Sequence, residues 1–277
     1  MADLYRNRDF IPDFDEIMAE TEARSREVAA RADVRPGLPY GDTPRQSFDL
    51  VLPPRVAPGA PLHVFIHGGY WRAGSKEAHT LVAQPVLEAG GICALVTYDL
   101  MPGTRLGAIV GQVRAAVRAA AAEAAGLGAD PGRLTVSGHS AGAHLASLLA
   151  AEAPGDAGPP DVPPLAGLLL VSGIYDLAGI PDSFLKDEAK MTHEEAADWS
   201  PLSARPLPAG RRIFTCGEAE TAPFHVQAAA MDELYERAGM RSALRVEPGC
   251  NHLTVVFDLA DTSRLLGQAL ADLVAGS

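Results

Sequence analysis

Long apolar runs are missing from this sequence of 277 residues. A helix that crosses a bilayer needs roughly 20 consecutive apolar residues, and no window of the sequence approaches that length. The first ten residues, Met-Ala-Asp-Leu-Tyr-Arg-Asn-Arg-Asp-Phe, also lack the apolar core of a secretory signal peptide. We therefore expect a cytoplasmic protein with no membrane partner.

Basic residues and cysteines are scarce as well. The 23 Lys and Arg residues against 35 Asp and Glu give a formal net charge of -12, which repels nucleic acid and anionic membrane surfaces. A small-molecule substrate is the partner that this charge allows most readily. The three cysteines, Cys93, Cys216 and Cys250, lack C-x-x-C spacing and are interpreted as core residues, so we expect neither disulfides nor a metal site.

Apolar segments alternate regularly along most of the chain. An apolar share of 47% supports a large core, and because no linker interrupts the chain we predict one domain over residues 1–277. Short apolar strands separated by helices predict an α/β fold with a mostly parallel central sheet and helices on both faces. The predicted strands are 62–66, 91–97, 133–136, 165–171, 212–216 and 244–246, and the helices are 106–125, 141–151, 224–238 and 262–274.

The first 46 residues precede this alternation and are predicted to form a helical extension. Residues 12–32 contain many strong helix formers, with acids early and arginines late. Residues 35–43 are rich in turn formers and predict a loop. Residues 47–52 alternate polar and apolar side chains and predict an edge strand.

A second segment, residues 176–208, lies between two predicted core strands and is too long for a simple connection. Insertions at the carboxyl end of a strand commonly form substrate walls or lids. We therefore predict a partial cap, in which Thr192 caps a helix that carries Glu195.

The five residues 138–142, Gly-His-Ser-Ala-Gly, have the G-x-S-x-G pattern of a nucleophile elbow. An apolar Leu-Thr-Val run precedes them and a helical pattern follows, which is the strand-turn-helix setting that the pattern requires. The turn exposes the hydroxyl of Ser140 and directs the amide of Ala141 towards a developing oxyanion. An ordinary βα turn is the alternative.

Residues 67–69, His-Gly-Gly, directly follow a predicted core strand. Consecutive glycines let backbone amides approach a ligand, as in the glycine loops that supply oxyanion donors in esterases and lipases. The amides of Gly68, Gly69 and Ala141 are therefore the predicted oxyanion hole. A plain Gly-Gly turn is the alternative.

A serine nucleophile needs a base, and hydrolases with this elbow carry it after the last strand, in the chain order serine, acid, histidine. Among the eight histidines, His252 alone has that position. His139 belongs to the elbow, His144 to the following helix and His67 to the glycine loop, whereas the other four histidines have no positional claim as base.

The acid is expected in the loop after the strand at residues 212–216. Glu218 and Glu220 both lie there, and a glutamate can orient and stabilise the imidazolium of the base. Asp176, after the preceding strand, is a third candidate. Position alone leaves the choice open.

These segments together resemble the kynurenine formamidase (arylformamidase) group of α/β-hydrolases, which is related to the hormone-sensitive-lipase-like esterases. The resemblance spans most of residues 60–256. It rests on six segments: His-Gly-Gly-Tyr-Trp-Arg at 67–72, Tyr-Asp-Leu-Met-Pro at 98–102, Gly-His-Ser-Ala-Gly-Ala-His-Leu at 138–145, Ser-Gly-Ile-Tyr-Asp-Leu at 172–177, Trp-Ser-Pro-Leu at 199–202 and Asn-His at 251–252.

One segment departs from the family pattern. Where the family usually has G-x-x-D-[ST]-x-x-F-x-x-Q, residues 217–227 read Gly-Glu-Ala-Glu-Thr-Ala-Pro-Phe-His-Val-Gln, which aligns Glu220 with the acid. The resemblance therefore implies the triad Ser140, Glu220 and His252 on an α/β-hydrolase fold that needs no cofactor. It implies hydrolysis of an N-formyl aryl amide, usually N-formylkynurenine, to formate and an aryl amine.

Two other functions stay open from the sequence. A short-chain carboxylesterase would use the same triad, and a non-catalytic binding protein could share the fold. Five aromatic residues are candidates for the pocket, although core packing is equally compatible with their positions, and a homodimer is also possible. The aromatic residues are Tyr70, Trp71, Tyr175, Trp199 and Phe224.

Overall fold

The computed structural model describes residues 3–276, which are built around a central eight-stranded sheet. The strands are β1 (Asp33–Pro39), β2 (Ser47–Leu52), β3 (Ala60–Ile66), β4 (Ile92–Val96), β5 (Ala129–His139), β6 (Ala151–Glu152), β7 (Gly167–Val171), β8 (Arg205–Pro206), β9 (Arg211–Gly217) and β10 (Ala243–Glu247). The α-helices are α1 (Phe14–Arg31), α2 (Ala83–Glu88), α3 (Leu106–Gly126), α4 (Ala141–Ser147), α5 (His193–Trp199), α6 (Ala222–Arg237), α7 (Val255–Leu259) and α8 (Leu265–Ala275). Three short 3-10 helices lie at Asn7–Asp9, Glu77–Val82 and Pro201–Ser203.

The sheet has the strand order β1-β2-β4-β3-β5-β7-β9-β10. β1 and β4 each pair with β2 antiparallel, and the remaining neighbours pair in parallel. The predicted mostly parallel sheet is confirmed. Because β5, β7 and β9 are parallel neighbours, the loops at their carboxyl ends open on the same edge of the sheet, where such folds bind ligands.

Helices cover both faces of this sheet. Val64 and Ile66 of β3 belong to a buried cluster with residues of α3, while Phe65 between them belongs to the opposite cluster, which includes residues of α2 and α8. This alternation follows from the two-residue period of a strand, and burial on both faces explains why the core strands are continuously apolar. Within residues 3–276, no helix combines the length and apolar character needed to span a bilayer.

The amino-terminal strands differ from the prediction. Residues 47–52 form β2, but β2 is an internal strand, because residues 33–39 add β1 outside it. The predicted loop at 35–43 therefore begins as an edge strand. A register shift at Pro36 and Gly37 conceals β1 in the sequence, and Gly37 adopts a φ of 67° there while its amide donates to Asp49 Oδ1 at 2.7 Å.

The segment predicted as a partial cap contains α5, and its predicted N-cap is confirmed. The amide of Glu195 donates to Thr192 Oγ1 at 3.1 Å, and the amide of Thr192 donates to Glu195 Oε2 at 3.1 Å. This reciprocal pair is a capping box. The helix predicted over 141–151 ends earlier, at Ser147, because residues 151–152 form β6 and pair with β8.

Candidate active site

Ser140 occupies a sharp turn between β5 and α4. It has a φ of 57° and a ψ of -123°, a strained conformation for a residue with a side chain. The glycines on either side make the turn possible: a Cβ on Gly138 would lie 2.3 Å from the carbonyl oxygen of Gly142, and one on Gly142 would lie 2.0 Å from that of Ile66. The segment thus has the strand-turn-helix geometry that the elbow pattern predicts.

A hydrogen-bonded relay connects Ser140 to a buried carboxylate. His252 Nε2 lies 3.0 Å from Ser140 Oγ, and His252 Nδ1 lies 2.7 Å from Glu220 Oε2. The side chain of His252 is 4% exposed and that of Glu220 is fully buried. These contacts suit a base that removes a proton from the serine while a carboxylate orients its ring.

The second oxygen of Glu220 is held by two further donors. Glu220 Oε1 accepts hydrogen bonds from Ser172 Oγ at 2.5 Å and from the amide of Gly217 at 2.6 Å. Both carboxylate oxygens therefore have partners, as a buried charge requires. These contacts fix the carboxylate at the imidazole.

The other two carboxylate candidates lie away from the imidazole. Glu218 is exposed and accepts from the amide of Gly249 at 2.9 Å. Asp176 is also exposed and accepts from the amide of Ala178 at 2.9 Å. Only Glu220 among the three reaches His252.

His139 supports the loop that carries His252. Its Nε2 lies 2.8 Å from the backbone carbonyl oxygen of His252, and the two rings are 4.8 Å apart. Burial, followed by the proximity of His252, holds the pKa of His139 well below its usual range, so the ring stays neutral and donates to that carbonyl. The sequence indicates no role for this residue outside the elbow, since its partner lies 113 positions away.

The glycine loop after β3 lies against the elbow. A Cβ on Gly68 would lie 3.0 Å from the Cβ of Ser140, and one on Gly69, whose φ is 115°, would lie 2.3 Å from the carbonyl oxygen of Ala73. A side chain at either position would displace the loop. Ala141 is the first residue of α4, so its amide has no partner within the helix. Gly68 thus lies against Ser140, Ala141 follows it directly in the chain, and Gly69 lines the same cavity.

A cavity of about 390 Å³ opens above Ser140 and His252. The glycine loop forms one side of it, and the predicted cap contributes Phe184. The segment before α1 and the first turns of α1 supply a further part of the wall. The sequence does not indicate this, because no local pattern connects these residues to the elbow. They are Arg6, Asn7, Arg8, Phe14 and Met18.

The aromatic candidates divide between wall and core. Tyr70 lines the cavity, but the other four are not among the residues that line it. Trp71 is buried and donates to His144 Nδ1 at 3.1 Å, and His144 Nε2 lies 2.8 Å from the carbonyl oxygen of Trp199. Phe224 packs on the ring of His252 at 4.4 Å, and Tyr175 is buried. In the part of the chain described, no group of three His, Cys, Asp or Glu side chains has an arrangement that could hold a metal ion.

Most of the chain is similar to known proteins. The profile of the alpha/beta hydrolase fold family matches residues 63–256. A kynurenine formamidase of Danio rerio is 30% identical over 246 residues, which cover 87% of this chain and 82% of that protein. The counterpart from Salmo salar is 29% identical over 247 residues, with the same coverage of both proteins. The crystal structure of a proposed thioesterase from Silicibacter sp. is 27% identical, covers 96% of both chains and superimposes with a TM-score of 0.80.

Proposed function

The chain belongs to the alpha/beta hydrolase fold family, and from this premise we propose that it is a serine hydrolase that cleaves N-formyl aryl amides to formate and an aryl amine. The kynurenine formamidase of Danio rerio, similar over 87% of this chain, supports N-formylkynurenine as the substrate. A non-catalytic role is set aside, because both the family and these relatives are hydrolytic.

The observation that carries the proposal is the continuous relay from Glu220 through His252 to Ser140 on the floor of the cavity. A hydroxyl is a poor nucleophile until a base accepts its proton. The neighbouring glycine loop adds backbone donors where the carbonyl oxygen of a substrate would become negative.

The reaction proceeds by acyl transfer in this proposal. Ser140 Oγ forms a bond to the formyl carbon as His252 Nε2 takes the hydroxyl proton, and the amides of Gly68, Gly69 and Ala141 bind the oxyanion. His252 then protonates the departing amine as the C–N bond breaks, leaving a formyl ester on Ser140. Water, deprotonated by His252, then attacks this ester, and His252 returns the proton to Ser140 Oγ as formate leaves.

The enzyme acts on a small molecule in the cytoplasm. Its three cysteines are free and buried, which supports a reducing compartment. Its net charge of -12 disfavours nucleic acid and anionic membranes as partners.

Comparing two substrates tests the proposed specificity. N-formylkynurenine should release formate and aryl amine in equal amounts, with a larger kcat/KM than 4-nitrophenyl acetate. Purified enzyme that hydrolyses the ester but releases no formate from the amide would instead be a short-chain carboxylesterase.

A further inference from the structure

The cavity above Ser140 is lined by several arginines in a protein that is acidic as a whole. Three arginines line it, Arg6, Arg8 and Arg72, together with one carboxylate, Glu188, although the chain carries a net charge of -12. Two histidines of its wall, His79 and His139, do not add to this charge, because burial lowers their pKa. A guanidinium of this wall that lacks a close carboxylate partner would favour an anionic group on the bound molecule.

Two of these arginines already have close carboxylate partners. Arg8 donates through Nη1 and Nη2 to Asp15 at 2.6 and 2.8 Å. Arg72 Nε lies 2.6 Å from Glu188 Oε2. A second carboxylate would have to compete with these ion pairs.

Arg6 is the arginine of the wall that has no close carboxylate partner. Its ion pair with Asp9 is long, with Nε and Oδ1 3.7 Å apart, which exceeds the length of a hydrogen bond. Among residues 3–276, no acceptor is hydrogen-bonded to its two terminal nitrogens. The guanidinium carbon lies 6.0 Å from the centre of the Phe184 ring, so this fork of donors is beside an aromatic surface of the cavity. A guanidinium so placed can bind a carboxylate through two parallel hydrogen bonds.

The backbone around Arg6 is tied to three parts of the site. Such anchoring reduces the conformational freedom that binding would otherwise remove. The bonds run from Tyr70 Oη to the carbonyl of Tyr5, from Thr221 Oγ1 to the carbonyl of Leu4 (2.7 Å) and from the amide of Phe184 to Asp3 Oδ2 (2.6 Å). Arg6 is therefore attached to the glycine loop, the acid loop and the cap segment.

We propose that Arg6 binds a carboxylate on the amine half of the substrate, whose aromatic ring contacts Phe14 and Phe184. The preferred substrates are then acylated aryl amines with an anionic side chain, rather than aryl amides in general. This inference rests on the proposed function, since it assumes that Ser140 cleaves an aryl amide.

Two formamides that differ by one carboxylate test the role of Arg6. N-formylkynurenine carries the carboxylate, and its decarboxylated analogue N-formylkynuramine keeps the formamide, the ring and the amine. Because a hydrogen-bonded ion pair at a partly exposed site is worth about one factor of ten in affinity, wild-type kcat/KM should be about tenfold higher for N-formylkynurenine, mainly through KM. Arg6→Gln should remove this preference.

Arg8→Gln is the matched control, because Arg8 lines the same cavity while both of its terminal nitrogens are bonded to Asp15. Arg8→Gln should keep the wild-type ratio of kcat/KM between the two formamides. Equal kcat/KM values for both formamides in the wild type, or a preference that survives Arg6→Gln, would overturn the proposal.

A pair of esters separates this inference from the proposed function. If neither formamide releases formate, the proposed function fails, and the carboxylate site is then measured with 4-acetoxybenzoate against phenyl acetate. A preference for the anionic ester that Arg6→Gln removes would still support the site. Equal turnover of the two esters by the wild type and by Arg6→Gln would overturn it.

Discussion

Ser140 has one of the few strained backbones among the non-glycine residues of the chain. Its φ of 57° costs on the order of 1–3 kcal/mol, and the surrounding structure holds it in place: its amide donates to the carbonyl of Val171 at 2.8 Å, and its carbonyl accepts from Ala143 at 2.9 Å. Strain of this kind persists where a turn must present one side chain. Here it directs the hydroxyl towards His252.

Glu220→Gln tests the acid at the residue scale. The amide cannot stabilise an imidazolium as the carboxylate does, and it can present the wrong hydrogen-bonding group to Nδ1. We expect kcat for formate release to fall about a thousandfold.

Glu218→Gln is the control for this prediction, since Glu218 bonds to the amide of Gly249 and not to His252. It should retain kcat to within about twofold, because exposed positions of this kind have small effects. A larger loss in Glu218→Gln than in Glu220→Gln would refute the assignment.

The sequence could order the candidate residues along the chain but could not choose between two glutamates two positions apart. That choice depends on how the turn after β9 folds back, with Glu220 Oε1 bonded to the amide of Gly217. Family resemblance aligned Glu220 with the acid, whereas nothing in the sequence indicated Arg6. The three residues before Arg6 hold it at the cavity through hydrogen bonds to Tyr70, Thr221 and Phe184, which leave no local pattern.

At the scale of elements, the sequence predicts best the strands and helices whose apolar residues follow one clear pattern. The apolar runs of β3, β4 and β7 and the helical period of α3 are predicted to within about two residues, because burial on a sheet or helix face dictates their composition. β1 was missed, since Pro36 and Gly37 are typical of loops and are tolerated there only by an edge strand with an irregular register.

The amino-terminal segment combines a predictable helix with a connection that has no sequence pattern. Its helix α1 is predictable from composition, and it packs on the 3-10 helix Glu77–Val82. The residues before α1 have no regular pattern, yet they form one wall of the cavity. Catalytic groups follow from strand ends in this fold, but substrate contacts depend on connections that vary in length and path.

Buried histidines are spread over several elements of the molecule, beneath and beside the site. His63, for example, lies 2.8 Å from Thr135 Oγ1 and 2.7 Å from Ser137 Oγ. Burial lowers the pKa of His63 and His67 to about 3 and that of His144 to about 4. It also lowers the pKa of His79 and His139.

These shifts predict loss of stability in mild acid. Below the unfolded pKa of about 6.5, the unfolded chain binds protons that the folded chain excludes, so the free energy of unfolding falls as the pH falls. The lowered pKa of each of His63, His67 and His144 should reduce the free energy of unfolding by about 2 kcal/mol between pH 7 and pH 5. Urea titrations followed by tryptophan fluorescence at pH 7, 6 and 5 measure this slope.

Variants identify which histidines are responsible for the slope. His63→Gln should reduce the pH dependence of the free energy of unfolding by the amount that one buried histidine contributes. His193→Gln should leave it unchanged, since the side chain of His193 is 70% exposed. A free energy of unfolding that stays constant from pH 7 to pH 5 would contradict the account.

The central claim, that Ser140 is the nucleophile, is tested most directly by covalent labelling with a fluorophosphonate and mass spectrometry of the digested protein. We expect one adduct per wild-type chain, located on Ser140, with formate release lost in step with labelling. Ser140→Ala should carry no adduct while it unfolds at the wild-type temperature. An unlabelled wild type, an adduct on another residue, or formate release by Ser140→Ala at the wild-type rate would contradict the claim.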